Sequence, residues 1–148
     1  MREILFRGKR FCNGEWVYGF YHNETSRESP SSDRKATRHH IYTQEFDVFV
    51  DPETIGQYTG LTDKNGTKIF EGDIFGDSKG QEVDVVVFED GCFKLKSFGF
   101  IEYCLDGNAY EERWGELECE PICNFCLEHD EILGNIYDNP ELLGGVNE

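Results

Sequence analysis

The chain has 148 residues, 38% hydrophobic and 14% aromatic, enough for one domain or a domain with a small appendage, and too apolar for wholesale disorder. Its net charge of −16 is unevenly spread: residues 1–40 hold eight Lys/Arg against five Asp/Glu, and residues 41–148 hold six against twenty-five. So acidic a C-terminal part repels phosphate backbones, because binding them needs cations that release counterions; ordinary DNA or RNA binding is disfavoured there.

The runs EILFRGKRF (3–11) and EWVYGFY (15–21) flank Cys12-Asn13-Gly14 and predict a β-hairpin. The segment 23–38, NETSRESPSSDRKATR, has almost nothing apolar to bury and predicts a mobile polar loop or a long hairpin insertion. HHIYTQEFDVFV (39–50) alternates as one or two strands. Asp51-Pro52-Glu53-Thr54 has the order of a helix start, with Asp as the cap and Pro in the first position, and Gly56 and Gly60 limit it to one turn.

Asp63-Lys64-Asn65-Gly66 predicts a type I′ turn, Thr67–Phe70 a short strand, and Glu71-Gly72-Asp73 a bend into Ile74-Phe75. The stretch lacks the GxxxxGK[S/T] order of a phosphate loop and the ligand spacing of a Ca²⁺ loop, so its glycines read as scaffold. EVDVVVF (82–88) sets Val83, Val85 and Val87 on one face, Asp90-Gly91 turns, and CFKLKS (92–97) returns. A strand at 98–105, a turn at Asp106-Gly107-Asn108 and the segment 109–118 follow. Residues 121–127 predict a short helix with Ile122, Phe125 and Cys126 on one side. EILGNIY (131–137) reads as a last strand and residues 139–143 as a final helical turn. Short strands punctuated every 8–12 residues predict a small, closed or nearly closed β-barrel.

The string VDPETIGQYTGLTDKNGTKIFEGDIF (50–75) resembles the signature of the YopX family, proteins encoded by phages and prophages. EILGNIYDNPELL (131–143) resembles that family's second hallmark, and REILFRG (2–8) its usual opening. The resemblance implies an SH3-like β-barrel in the C-terminal part, preceded by a smaller N-terminal β segment, and carries no activity, cofactor or catalytic residue. The expectation is therefore a mainly β protein with one or two short helices, divided into residues 1–55 and 56–148.

Cys119, Cys123, Cys126 and His129 lie within eleven residues and could complete a tetrahedral Zn²⁺ site, although all four crowd one segment. Their Cx₃Cx₂C spacing equals an iron–sulfur motif, but the large α/β barrel that motif serves is missing. The plainer reading is small packed thiols, and no cofactor is expected. His39 and His40 are neighbours on a strand and point oppositely, so they read as two exposed histidines, and His22 as unremarkable. Carboxylate pairs (Glu71/Asp73, Glu89/Asp90, Glu111/Glu112, Asp130/Glu131) are frequent among thirty acids and name no reaction. Phe70, Phe75, Tyr103, Tyr110 and Trp114 lie near turns and could line a partner groove, each with a core role as the alternative.

The expected function is a non-catalytic, phage-related binding or assembly module with an unknown protein partner. Self-association is plausible because the charge halves are complementary. The alternatives are an acidic DNA mimic that occupies a nucleic-acid-binding protein and a small zinc-binding protein. No apolar run approaches the ~20 residues of a membrane span, the opening lacks the apolar core of an export signal, and six cysteines without one predict reduced thiols in the host cytosol.

Overall fold

The computed structural model describes residues 3–77, 82–104 and 110–144. The protein is mainly β, and the chain divides into two compact units, Met1–Gly60 and Leu61–Glu148. No helix among the described residues is long and apolar enough to cross a membrane.

In the first unit, β1 (Phe6–Lys9) and β2 (Trp16–Arg27) form the expected hairpin, with Gly14 in the left-handed region at φ 71°. The polar segment 23–38 takes the hairpin form of its two expected alternatives: β2 runs on to Arg27 and pairs with β3 (Lys35–Tyr42) from Phe20↔Tyr42 to Arg27↔Lys35. Backbone pairing and polar rungs such as Thr25 Oγ1 to Thr37 Oγ1, 2.9 Å apart, hold this extension where burial cannot. β4 (Asp47–Phe49) pairs outside β3, and β5 (Gly56–Thr62) pairs outside β1. Between them Pro52–Thr54 forms a 3-10 turn, capped as expected by the Asp51 carboxylate, which accepts from Glu53 N–H. One sheet face buries Ile41, Val48 and Val50 with Phe6, Val17, Tyr21 and Ile55 against them. Residues opposite one another share a face, so the other face carries Arg7, Tyr18, Phe20, His22, His40, Tyr42, Asp47 and Phe49.

The second unit begins in the last residues of β5 and continues through β6 (Lys68–Phe70). Its main sheet runs β10-β9-β8-β7-β11, built from β7 (Asp73–Gly76), β8 (Glu82–Glu89), β9 (Cys92–Cys104), β10 (Tyr110–Pro121) and β11 (Glu131–Asn135). The short helix α1 (Asn124–His129) precedes β11, and Pro140–Leu143 forms a closing 3-10 turn. The β8–β9 turn has both central residues in the left-handed region, Asp90 at φ 52° and Gly91 at φ 79°, a type I′ turn.

The expected closed barrel does not form among the described residues. The described sheets are open, with β10 and β11 at opposite ends of this one. The reason is visible in β8. Val83 and Val85 pack with Ile74 on one face, whereas Val86 packs with Ile69, Phe75 and Leu95 on the other. Ile122, Cys126, Leu127 and Ile132 cover the second face, and Leu133, Ile136, Leu142 and Leu143 the first. Covering each face with a separate segment buries the sheet without curling it closed. The expected turn at Asp106–Asn108 lies outside the described residues.

Candidate functional site

The glycine-rich stretch proves to be a joint. Asp63 is buried, and its carboxylate accepts three backbone N–H groups: Asn65 and Thr67, each at 2.9 Å, and Ile132, at 3.1 Å. The first two close the turn, and the third reaches β11, sixty-nine residues away in sequence. Asn65 Nδ2 donates to the Glu131 carboxylate and Lys64 Nζ to the His129 carbonyl across the same junction. Only Gly66 of the Asn65-Gly66 pair has a positive φ, 81°, so the expected type I′ turn is replaced by a turn organised around the Asp63 side chain. Gly72, at φ 91°, accepts from Ile136 N–H and lies so close to Tyr137 that a Cβ would sit 3.1 Å from its ring. Asp73 is buried and accepts from Phe70 N–H at 2.8 Å. The middle of the first long motif and the start of the second are thus hydrogen-bonded to each other.

The thiol cluster does not converge on one point. Cys119 Sγ donates to the Glu89 carboxylate at 3.7 Å, and His129 Nδ1 faces the Phe125 carbonyl at 2.9 Å. Phe125 lies outward, stacked on His129, instead of sharing the inner side with Ile122 and Cys126 as expected. Cys123 and Cys126 do meet, with their sulfurs 3.3 Å apart. A backbone hydrogen bond from Cys126 lowers the Cys123 pKa, while burial pushes Cys126 up to about 12, so Cys123 gives up its proton before Cys126.

Of the aromatic residues expected at a groove, Phe70 and Phe75 are core, and Trp114 is half-buried with its indole N–H donating to the Leu143 carbonyl. Tyr103 and Tyr110 lie outside the described side chains. Exposed aromatics lie in both units, among them Phe88, Phe100 and Phe125 in the second and Phe11, Phe20, Phe46 and Phe49 in the first. Phe11 (68% exposed) and Phe49 (50%) line an open groove of about 530 Å³ with Thr37, Arg38, His39 and Pro52. The Arg38 guanidinium lies 5.9 Å from the centre of the Phe49 ring, so this apolar groove has a cation at its wall.

Beside Phe49, β2, β3 and β4 bring together His22, His40 and Asp47. His22 and His40 are directly opposed in the β2–β3 register, and their rings stack at 4.7 Å with an 8° tilt. The Asp47 carboxylate reaches His22 Nε2 at 2.9 Å and His40 Nδ1 at 3.5 Å. His40 is 5% exposed, contrary to the expected pair of surface histidines, because Phe49 packs on it at 4.4 Å. His39 faces the other way, to the Tyr21 hydroxyl at 2.7 Å. Sequence reading missed this cluster because it compared neighbours in the chain. The usable signal was the hairpin: His22 and His40 are symmetric about its turn, so pairing places them side by side.

The YopX protein family matches residues 5–144. This chain belongs to the YopX family. No curated protein matches it. Among solved structures, protein EF1440 from Enterococcus faecalis is similar at 21% identity over 97% of this chain and 99% of that one, with a TM-score of 0.38. For this YopX-family chain the matched region contains the Asp63 joint, the groove and the histidine cluster alike.

Proposed function

We propose that this YopX-family protein is a non-catalytic protein-binding or assembly module of phage or prophage origin. In this reading the groove of the first unit takes an acidic, partly apolar protein segment. The observation that carries it is the combination of exposed Phe11 and Phe49 with Arg38 at 5.9 Å from the Phe49 ring. Aromatic surface supplies burial at low entropic cost, and a guanidinium selects carboxylate partners. The basic balance of residues 1–40 favours the same partner charge. A second copy of the acidic chain is one possible source of such a segment.

The test is capture from host lysate with the full chain and two variants, Arg38→Glu and Phe49→Ser. A partner held by the parent should be lost from both variants while their circular dichroism stays unchanged. No specific partner, or one that survives both substitutions, overturns the reading.

A further inference from the structure

We propose that His22, His40 and Asp47 form a binding site for one zinc ion. The ligand atoms are already gathered within 4.8 Å of one another. A tetrahedral zinc with bonds of about 2.0–2.1 Å separates its ligand atoms by roughly 3.3 Å. His22 Nε2 lies 2.9 Å from one Asp47 oxygen and His40 Nδ1 3.5 Å from the other, and because the two rings stack within 8° of parallel, the exposed His22 ring would turn to aim its nitrogen at an ion held by His40 and Asp47. Two imidazole nitrogens and a carboxylate are a donor set suited to zinc, with water in the fourth position.

The second observation is independent of proximity. Both ring nitrogens of His40 are buried and hydrogen-bond nothing. A buried imidazole without partners loses its hydration with no return, so such groups are rare unless something else satisfies them. A metal on Nδ1 would satisfy one nitrogen. The other, Nε2, has the Glu24 carboxylate 3.9 Å away. A ligating histidine commonly turns its second N–H to a carboxylate, and a small approach of the exposed Glu24 side chain would supply one, leaving Nδ1 free to bind. The three ligands come from three adjacent strands, so the ion would tie the short outer strand β4 to the β2–β3 hairpin.

The experiment titrates Zn²⁺ into the chelator-stripped full chain carrying Cys123→Ser and Cys126→Ser, which removes the close thiol pair as a competitor. Calorimetry should give one equivalent per chain. His22→Ala and Asp47→Asn alter exposed residues and keep the fold. Each should weaken binding at least about tenfold. Imidazole NMR signals of His22 and His40 should shift on titration, while that of His39 stays in place. Absence of binding, or an affinity that neither substitution moves, overturns the proposal.

Discussion

Replacing Asp63 with Ala would take the buried carboxylate from three part-buried backbone N–H groups that now donate to it. Orphaned donors and a lost charge-assisted acceptor together cost roughly 2–4 kcal/mol, so the urea midpoint should fall with an unchanged m-value. Any variant that keeps the parental midpoint would contradict the role given to this carboxylate. The residue's identity was legible as turn chemistry, and the glycines around it as scaffold. Its third bond was not, because nothing in residues 63–67 names a partner at Ile132. The histidines show the same limit. Adjacency in the chain separated His39 from His40 correctly, yet their burial depended on which strand lay beside them. Cys119, Cys123, Cys126 and His129 show the converse: closeness in sequence did not bring four ligand atoms to one centre.

At the scale of elements, α1 carries Cys126 and Leu127 onto the sheet face that also holds Asp84, opposite Phe75. Burial, more than Glu82, raises the Asp84 pKa, and the Ser97 hydroxyl only partly offsets this. Asp130 is raised too, by burial first and then by the Asp84 charge. A carboxyl with a raised folded pKa costs stability once ionised. The cost is absent below the unfolded value near 3.8, grows as pH rises from there to the raised folded value, and is full above it. Asp84→Asn should therefore raise Tm by a few degrees at pH 7, and the gain should vanish at pH 3.5; equal shifts at both pH values would contradict this. The hairpins at β1–β2 and β8–β9, the capped turn after Asp51 and the late helix were readable from turn residues and alternation. Closure was not. Val83, Val85 and Val87 announce one buried face, and the second is visible only when α1 and Ile132 are seen covering Val86.

For the whole molecule the governing fact is charge: a basic balance in residues 1–40 and an excess of nineteen acids after them. If the groove takes a second copy, opposite charges draw the copies together, and salt screens them over a Debye length of about 10 Å at 0.1 M. Sedimentation velocity should then show an oligomer in low salt that dissociates in high salt, whereas one monomeric species in both would exclude self-association. Composition foreshadows the division after Gly60 only in outline. One consequence concerns synthesis. The strand that answers Asp63 and borders β7 is Glu131–Asn135, and Ile132 follows Asp63 by sixty-nine residues. While the ribosome is still upstream of it, the turn lacks its third donor and β7 keeps a bare edge. The second unit can therefore be completed only after Asn135 has been made, and until then that edge is open to wrong neighbours.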